Sequence, residues 1–244
     1  MQQVLVTGAS GGIGRAIAVA LAERGARVAV HYNSDRAAAA ETRRALTGVG
    51  HELFGADLSD AAAIEPFWRE VMRAFGRLDA LVNNAGIYDT HPPVTAEYAA
   101  WSEIVRRTLA TNFLGPAQLS FFAARAMAQQ GSGRIVNISS RGAFRGEPTA
   151  PAYAASKAAI NAFGQSFAKA FASQGVQVFA VAPGWVSTER VAAHVQDPVV
   201  LADQPLGRVA MPEEIAQVVT FCVLDAPASL TGAVLDVNGA SYLR

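Results

Sequence analysis

The sequence lacks several features by which whole classes of protein are recognised. Cys222 is the only cysteine among 244 residues, which excludes an internal disulfide and fits a reducing compartment. The formal net charge is zero, so the composition gives no reason to expect nucleic acid or an anionic membrane surface as a partner. No apolar run approaches the ~20 residues that a membrane-spanning helix requires, and the first residues, MQQVLVTGAS, do not resemble a signal peptide. We therefore expect a cytoplasmic protein.

Histidine and lysine are also scarce. We expect no metal site, because the histidines are scattered without the spacing of metal ligands; they are His31, His51, His91 and His194. Of the 20 lysine and arginine residues, only Lys157 and Lys169 are lysines, so the chain strongly favours arginine. A lysine in such a chain suggests a place where a compact point charge is needed rather than a planar guanidinium.

Short apolar runs alternate with longer helical patterns along the whole chain. Seven runs, rich in Val, Leu and Ile, are typical of buried parallel strands; they cover 2–8, 26–32, 51–57, 78–86, 133–140, 176–184 and 233–239. The patterns between them predict helices near 12–24, 35–47, 60–75, 101–129, 151–173 and 212–224. This alternation, without a linker, predicts one α/β domain over 1–244. We expect a doubly wound, seven-stranded parallel sheet flanked by helices, with sites at the carboxyl ends of its strands.

The stretch VLVTGASGGIGRAIAVAL predicts a strand, a tight turn and an amphipathic helix. Gly8 permits the turn, Gly12 lets the backbone approach a pyrophosphate, and Gly14 lets the helix pack close to the sheet. The free amides at the start of the helix would face the phosphate charge. The spacing differs from the usual G-x-G-x-x-G fingerprint, and a purely structural loop is the alternative. Its place between a strand and a helix favours a dinucleotide-binding turn.

The residues after the second strand bear on the choice between NAD and NADP. A carboxylate at the strand end would bind the ribose hydroxyls of NAD and repel the additional phosphate of NADP. Tyr32 occupies that position instead. Asn33, Ser34 and Arg36 follow it as hydrogen-bond donors, and Arg36 can form two bonds to a phosphate. We therefore expect NADP(H) as the preferred cofactor and NAD(H) as the alternative. Asp35 weakens the argument for NADP(H), and the alternative for Arg36 is a solvated charge.

The stretch PAYAASKAAINAFG places Tyr153 and Lys157 four residues apart in a predicted helix, so both side chains lie on one face. A phenol has an ordinary pKa near 10, and half-ionisation near pH 7 costs about 4 kcal/mol. A positive charge at ~4 Å and an effective dielectric constant of ~20 supplies about that much. Tyr153 could therefore act as a general acid or base, and the alternative is a solvated Tyr–Lys pair.

Five motifs occur in one order along the chain: TGASGGIG, NNAG, ISS, YAASK and PGWVST. Together they resemble the short, single-domain branch of the short-chain dehydrogenase/reductases, from Val4 to about Asn238. The resemblance implies a Rossmann fold and reversible hydride transfer between a nicotinamide and a carbonyl or alcohol. It makes Tyr153 the proton donor or acceptor. It also implies that Lys157 holds the nicotinamide ribose and lowers the pKa of the tyrosine.

The same resemblance implies two further catalytic residues. Ser140, thirteen residues before Tyr153, would hydrogen-bond the reacting oxygen. Neighbouring Ser139 is the competing choice, although it lies one place too far from the tyrosine for the family spacing. Asn112, in LATNFLG, would interrupt helical hydrogen bonding and hold a water in a proton relay to Lys157. From the residues alone, Asn112 could equally cap or bend a helix.

The resemblance also assigns contacts with the coenzyme. Asp57 would accept a hydrogen bond from the adenine amino group, although an aspartate here could also cap a helix. Asn83 and the backbone at 85–86 would lie along the adenosine ribose, and Val186 and Thr188 would hold the nicotinamide carboxamide. The other expected coenzyme contacts are Ser10, Ile13, Leu58, Asn84, Ala85, Gly86, Pro183 and Gly184.

The segment between the ISS and YAASK motifs should form the substrate-side wall of the nicotinamide site. The candidate specificity residues on this side are Arg141, Phe144, Arg145, Glu147 and Trp185. Arg141 or Arg145 could pair with an anionic substrate, face solvent or bind Glu147. The stretch at about 186–210 has few secondary-structure signals before a helix start, and we expect a substrate-binding loop there.

The leading interpretation is hydride transfer between NADP(H) and a small carbonyl or alcohol substrate. One alternative is a 3-oxoacyl-[acyl-carrier-protein] reductase. A different class is a non-catalytic dinucleotide-binding sensor, which would not need Ser140, Tyr153 and Lys157 together. A sugar-nucleotide epimerase would require a longer chain. The family resemblance implies a homotetramer, with a homodimer as the next choice.

Overall fold

The structure is a computed structural model that describes residues 1–192 and 197–244, without the Arg190 side chain. Within these residues, seven strands form a parallel sheet in the order β3-β2-β1-β4-β5-β6-β7. The strands are β1 (Gln3–Val6), β2 (Arg27–Tyr32), β3 (Glu52–Gly55), β4 (Ala80–Asn83), β5 (Gly133–Ile138), β6 (Val176–Pro183) and β7 (Val234–Val237). The predicted fold class, a doubly wound seven-stranded Rossmann-type α/β sheet, is confirmed.

Helices flank both faces of the sheet. They are α1 (Gly12–Glu23), α2 (Arg36–Ala45), α3 (Ala61–Phe75), α4 (Tyr98–Leu109), α5 (Gly115–Gln130), α6 (Gly142–Arg145), α7 (Pro151–Phe171), α8 (Pro198–Ala202) and α9 (Pro212–Leu224). The prediction of one helix near 101–129 is wrong in two respects. The helix begins at Tyr98, and a π turn over Ala110–Leu114 separates α4 from α5. The short helices α6 and α8 were not predicted, because four or five residues carry too little periodicity.

Alternation along the strands divides the apolar core between the two faces. Val4 and Val6 of β1 pack with residues of α1 and α9, whereas Leu5 between them packs with residues of α3 and α5. Successive side chains of a strand point to opposite faces, so each strand contributes to both halves of the core. This two-sided burial explains why the strands are continuous apolar runs.

The order of the strands creates a crevice at one edge of the sheet. β1 pairs with β2 on one side and with β4 on the other. The connections that leave β1 and β4 therefore turn away from each other, which opens a binding crevice at their carboxyl ends. The TGASGGIG and NNAG motifs follow these two strands, and ISS and PGWVST follow β5 and β6 at the same edge.

Two expectations from the sequence concern membrane-spanning helices and the loop at about 186–210. No helix within the described residues is long and apolar enough to cross a membrane. The expected substrate-binding loop at about 186–210 lies partly outside the described residues, as does His194. Of that loop, the structure describes an isolated bridge between Val186 and Ala210 and the helix α8.

Candidate active site

The glycine turn between β1 and α1 has the shape that a phosphate cradle requires. Gly8 and Gly12 have φ values of +62° and +50°, in the left-handed region that favours glycine. A Cβ on Gly12 would lie 3.2 Å from Cγ2 of Thr188, and a Cβ on Gly14 would press against the carbonyl group of Gly8. Because side chains would fill this space, the turn fits the close approach of a pyrophosphate at the start of α1.

Two other expected residues complete the turn. The carbonyl oxygen of Ser10 accepts a hydrogen bond from Nη2 of Arg15 at 2.8 Å, and Nε of Arg15 donates to Oγ1 of Thr42 on α2 at 3.0 Å. Ile13 is half-buried against the core. Arg15 therefore ties the turn to α2.

Thr7 joins the glycine turn to the NNAG segment. Its Oγ1 accepts hydrogen bonds from the backbone N–H groups of Asn84 and Ala85, at 2.9 and 3.0 Å. Nδ2 of Asn84 donates to the carbonyl oxygens of Thr7 and Gly8, at 2.9 and 3.1 Å. The two crevice walls are thereby held together by hydrogen bonds.

Asn83 lies in a different environment from its neighbour Asn84. Its side chain is 4% exposed, and Nδ2 donates to Oγ of Ser120 and to Oδ1 of Asn137, at 2.9 and 2.8 Å. The amide is therefore used inside the molecule, where it links β4 to β5 and α5. Asn84 is the asparagine that contacts the glycine turn.

At the end of β2, the carboxylate of Asp35 already has a structural partner. Oδ1 of Asp35 accepts a hydrogen bond from the backbone N–H of Ala38 at 2.8 Å and so caps α2. The ring of Tyr32 lies over Gly55 on the neighbouring strand. The donors beside them are exposed; they are Asn33, Ser34 and Arg36.

The residues after β3 are arranged around a local turn. Oδ1 of Asp57 accepts from the backbone N–H and the hydroxyl of Ser59, at 2.8 and 2.7 Å. Asp57 does not cap α3, because Asp60 does so through the N–H of Ala62. The Leu58 side chain is buried in the core, and its carbonyl group packs against Gly115 at the start of α5.

Tyr153 and Lys157 share one face of α7, as the spacing predicts. The Lys157 side chain is 5% exposed, and Nζ donates a hydrogen bond to the carbonyl oxygen of Ile138, the last residue of β5, at 2.7 Å. Nζ lies 5.6 Å from the centroid of the Tyr153 ring. The ring of Tyr88 packs edge-on against Tyr153, with centroids 4.8 Å apart. The site thus brings an ammonium group next to a half-buried phenol.

Asn112 lies in the π turn, where regular α-helical hydrogen bonding is interrupted. Its Oδ1 accepts from the N–H of Ile87 at 2.8 Å, and its Nδ2 donates to the carbonyl of Ile87 at 2.9 Å. Nδ2 also lies 3.2 Å from Oγ of Ser156 on α7. A Cβ on Gly86 would lie 3.2 Å from Oδ1 of Asn112 and 3.6 Å from Nζ of Lys157. The structure therefore brings Asn112, Gly86 and Lys157 together.

The two adjacent serines after β5 have different partners. Oγ of Ser139 donates to the carbonyl oxygen of Lys157 at 3.3 Å, and this serine is 2% exposed. Oγ of Ser140 accepts from the backbone N–H of Gly142 at 3.0 Å, and this serine is 9% exposed. Ser139 holds α7 against β5, whereas Ser140 retains a hydroxyl proton to donate.

The charged residues of the segment 141–147, which is expected from the sequence to lie on the substrate side, form a cluster with Asp203. Nη2 of Arg141 and Nη1 of Arg145 both contact Oδ2 of Asp203, at 3.0 and 2.8 Å. Burial lowers the pKa of Arg141, and hydrogen bonding from Arg145 lowers the pKa of Asp203. Burial raises the pKa of Glu147, which the two guanidinium groups oppose. Arg141 is therefore a buried member of an ion-pair cluster.

The PGWVST segment is held by backbone hydrogen bonds. The carbonyl of Pro183 accepts from Arg141, and the N–H of Gly184 donates to Val237. Trp185, whose carbonyl accepts from Ala210, and Val186, which bridges to Ala210, begin the loop. Thr188 then approaches Gly12, so this segment reaches the glycine turn.

Several residues of the site were not found from the sequence. His31 and His91 are each 2% exposed and accept hydrogen bonds from backbone N–H groups of Gly8 and Ala152. Asp203 lies within the expected loop at about 186–210, and no sequence motif gives it a role. The partners of these residues lie far away in the sequence, so no local pattern indicates them. The one available signal is that His31 lies inside an apolar run predicted to be a buried strand, where a histidine needs hydrogen-bond partners.

Comparisons with known proteins agree with this geometry. The family model described as short chain dehydrogenase matches residues 2–198. The cis-4-hydroxycyclohexanecarboxylate dehydrogenase of Sinomonas cyclohexanicum is 38% identical over 240 residues, which cover 96% of this chain and 94% of that protein. The 3-oxoacyl-[acyl-carrier-protein] reductase of Escherichia coli K12 is 37% identical over 241 residues, covering 98% and 96%. An uncharacterized oxidoreductase of Thermotoga maritima is 36% identical over 249 residues, covering 98% and 96%. The chain is therefore an oxidoreductase that belongs to the short-chain dehydrogenase family.

Proposed function

We propose that the protein transfers hydride reversibly between NADP(H) and a carbonyl or alcohol substrate, with Tyr153 as the general acid or base. The observation that carries this proposal is the position of Lys157. Its ammonium group is fixed by the carbonyl of Ile138 and lies beside the Tyr153 ring, one helical turn away on α7. A buried ammonium group next to a phenol favours loss of the phenolic proton.

Each residue of the site has a role in this reaction. Bound NADP(H) would supply the hydride for reduction of a carbonyl carbon, or accept it from an alcohol. In reduction, the hydroxyl of Tyr153 donates its proton to the carbonyl oxygen, and Lys157 stabilises the phenolate that remains. The hydroxyl of Ser140 donates a hydrogen bond to the same oxygen. Asn112 holds the backbone at Ile87 and lies close to Lys157. There it would hold the water of a proton relay, through which Lys157 returns a proton to Tyr153.

The coenzyme would lie along the crevice between the glycine turn and α7. Gly12 would admit the pyrophosphate in the turn that Gly8 and Gly14 permit, and Gly86 would leave room for the nicotinamide ribose near Lys157. The capping role of Asp35 supports the preference for NADP(H), because its carboxylate already accepts a hydrogen bond from the N–H of Ala38 at the start of α2. Exposed Arg36 would then be the charged group that binds a 2′-phosphate.

Initial rates with NADPH and NADH, over a panel of ketones, test this proposal. We expect kcat/KM to be at least about tenfold higher with NADPH, equivalent to about 1.4 kcal/mol. Arg36→Gln should remove most of that preference by lowering kcat/KM with NADPH alone. Arg43→Gln, an exposed arginine near the other end of α2, is the matched control and should change neither rate. A clear preference for NADH would overturn the cofactor assignment.

The second candidate function is that of a 3-oxoacyl-[acyl-carrier-protein] reductase, the name of the Escherichia coli relative. Turnover of a 3-oxoacyl thioester in preference to small ketones would support it. A non-catalytic dinucleotide sensor would bind the coenzyme and turn over nothing in the panel. The homotetramer and the extent of the domain, 1–244, stay predictions.

A further inference from the structure

His91 lies in the segment 84–97, between β4 and α4, and its ring is 2% exposed. Nδ1 lies 2.8 Å from the carbonyl oxygen of Asp89. Nε2 lies 3.1 Å from the backbone nitrogen of Ala152, the second residue of α7. The backbone N–H of His91 donates to the carbonyl of Thr149 at 2.7 Å. The residue therefore joins the 84–97 segment to the start of the catalytic helix.

The partners of the ring determine which nitrogen carries its proton. A carbonyl oxygen can only accept and a backbone N–H can only donate, so Nδ1 carries the proton and Nε2 accepts from Ala152. A doubly protonated ring would have no acceptor for Ala152 and would place a positive charge at the amino terminus of a helix, where the helix dipole is also positive. This contact therefore requires a neutral ring.

The first turn of α7 has no local residue for this task. Ala150 precedes the helix and provides no capping side chain, and Pro151 has no N–H. The N–H groups of Tyr153 and Ala154 bond to the carbonyl of Ala150. The amide of Ala152 is thus capped by His91, 61 residues earlier in the chain. A buried amide without that partner would be costly.

We propose that His91 is a positioning residue for Tyr153, which it serves by fixing the first turn of α7 against the 84–97 segment. The inference rests on the proposed catalytic role of Tyr153, one residue after the capped amide. The same segment contributes Tyr88, whose ring touches that of Tyr153, and Ile87, which Asn112 holds at both its N–H and its carbonyl. Without the His91 contact, the phenol loses its position beside Lys157.

His31 provides a matched comparison at the other end of the crevice. It is equally buried, Nδ1 accepts from the N–H of Gly8 at 3.0 Å, and Nε2 lies 3.0 Å from the carbonyl oxygen of Ala56. The ring nitrogen that accepts is Nδ1 here and Nε2 in His91. An asparagine oxygen can replace an Nδ1 acceptor, whereas a glutamine oxygen reaches the position of Nε2.

The test compares asparagine and glutamine at both positions. At position 91, His91→Gln should keep at least a third of kcat, whereas His91→Asn should lower kcat at least tenfold and leave the dissociation constant of NADPH within twofold. At position 31, asparagine should be the better replacement, and the quantity affected should be the dissociation constant of NADPH rather than kcat. His31→Gln should weaken NADPH binding at least tenfold, whereas His31→Asn should bind nearly as the parent does. Coenzyme binding is read from NADPH fluorescence, and all rates refer to the folded fraction measured by circular dichroism.

Hydrogen exchange supplies a readout that needs no turnover. A peptide covering 150–156 should be protected in the parent and in His91→Gln, and should exchange at least tenfold faster in His91→Asn. Equal kcat in the two position-91 variants, or an unprotected Ala152 amide in the parent, would overturn the inference. An inactive parent whose Ala152 amide is protected would instead overturn the proposed function.

Discussion

At the scale of single residues, Lys157 illustrates why this chain departs from its preference for arginine. Its ammonium group donates to the carbonyl of Ile138 and lies close to both Gly86 and the ring of Tyr153. An ammonium is a compact charge that fits among these three groups, whereas a planar guanidinium needs more room and more acceptors. The choice of lysine therefore follows from the size of the space around it.

Removal of the Tyr153 hydroxyl tests the proposed acid–base role. We expect Tyr153→Phe to lower kcat by about 10²–10⁴-fold, because the proton must then come from water. The dissociation constant of NADPH should stay within about twofold, since the ring and its packing against Tyr88 are retained. Both quantities are measured by steady-state kinetics and fluorescence titration.

Tyr88→Phe is the matched control, since it removes a phenolic hydroxyl from the ring that touches Tyr153. This variant should keep at least half of the parent kcat. If Tyr153→Phe retained most of its turnover, or if the two variants lost activity equally, Tyr153 would not be the proton donor.

How much of the site could be predicted depended on the separation of the residues along the chain. Tyr153 and Lys157 are one helical turn apart, so their shared face follows from helix geometry alone. His31 and His91 act on amides 23 and 61 residues away, and no local pattern encodes such a contact. The pairing of Arg141 with Asp203 was missed for the same reason.

At the scale of elements, the carboxylate of Asp203 attaches the described part of the 186–210 loop to the segment 141–147. Asp203 directly follows α8, and its Oδ2 contacts the guanidinium groups of Arg141, which precedes α6, and of Arg145, the last residue of α6. The Arg141 side chain is 5% exposed, whereas that of Arg145 is 33% exposed. The two ion pairs should therefore differ in their contribution to stability.

Asp203→Asn is expected to lower the free energy of unfolding by about 1–3 kcal/mol, because the buried Arg141 loses its counter-charge. Arg145→Gln should cost only about 0–1 kcal/mol, since it removes a partly exposed ion pair. Urea unfolding at pH 7 measures both. An equal cost for the two variants would show that the burial of Arg141 is not what gives the Asp203 pair its importance.

The sequence patterns predicted the strands better than the helices. Each of the seven strands lies inside its predicted run, because buried parallel strands are continuous apolar segments with clear ends. The interruption of the long helix near 101–129 could not be read from periodicity, since the π turn keeps the same kinds of residue as its flanks. Short α8 carries a local start signal, since Asp197 caps it through the N–H of Val199 and Pro198 is its first residue, but five residues show too little periodicity for a helix to be predicted.

At the scale of the whole molecule, His31 should make stability depend on pH. Burial lowers its pKa from an ordinary 6.5 to about 4, so the folded protein keeps the ring neutral where the unfolded chain is protonated. The unfolded state then binds more protons between these two values, and stability falls as the pH drops through this window. Above pH 6.5, this contribution is fully present.

Urea unfolding at pH 7 and pH 5 measures this effect. Between these values, His31 should account for a loss of about 2 kcal/mol in the free energy of unfolding. His31→Asn keeps an acceptor for Gly8 but does not titrate, so the variant should lose about that much less than the parent. The same pH dependence in both proteins would contradict a buried, neutral His31.

The π turn over Ala110–Leu114 also fixes how far α5 is rotated about the helix axis relative to α4. A π turn holds one residue more than an α-helical turn, so deletion of a single residue there would restore a continuous α-helix. The extra residue is taken up within the widened turn, so α5 would keep its rotation relative to α4, whereas the same deletion in a regular stretch of α4 would rotate all that follows by about 100°. A one-codon deletion in the π turn would thus displace Asn112 but leave Leu119 and Ala123 in the core, so the placement of this amide can be separated from the packing of the helix.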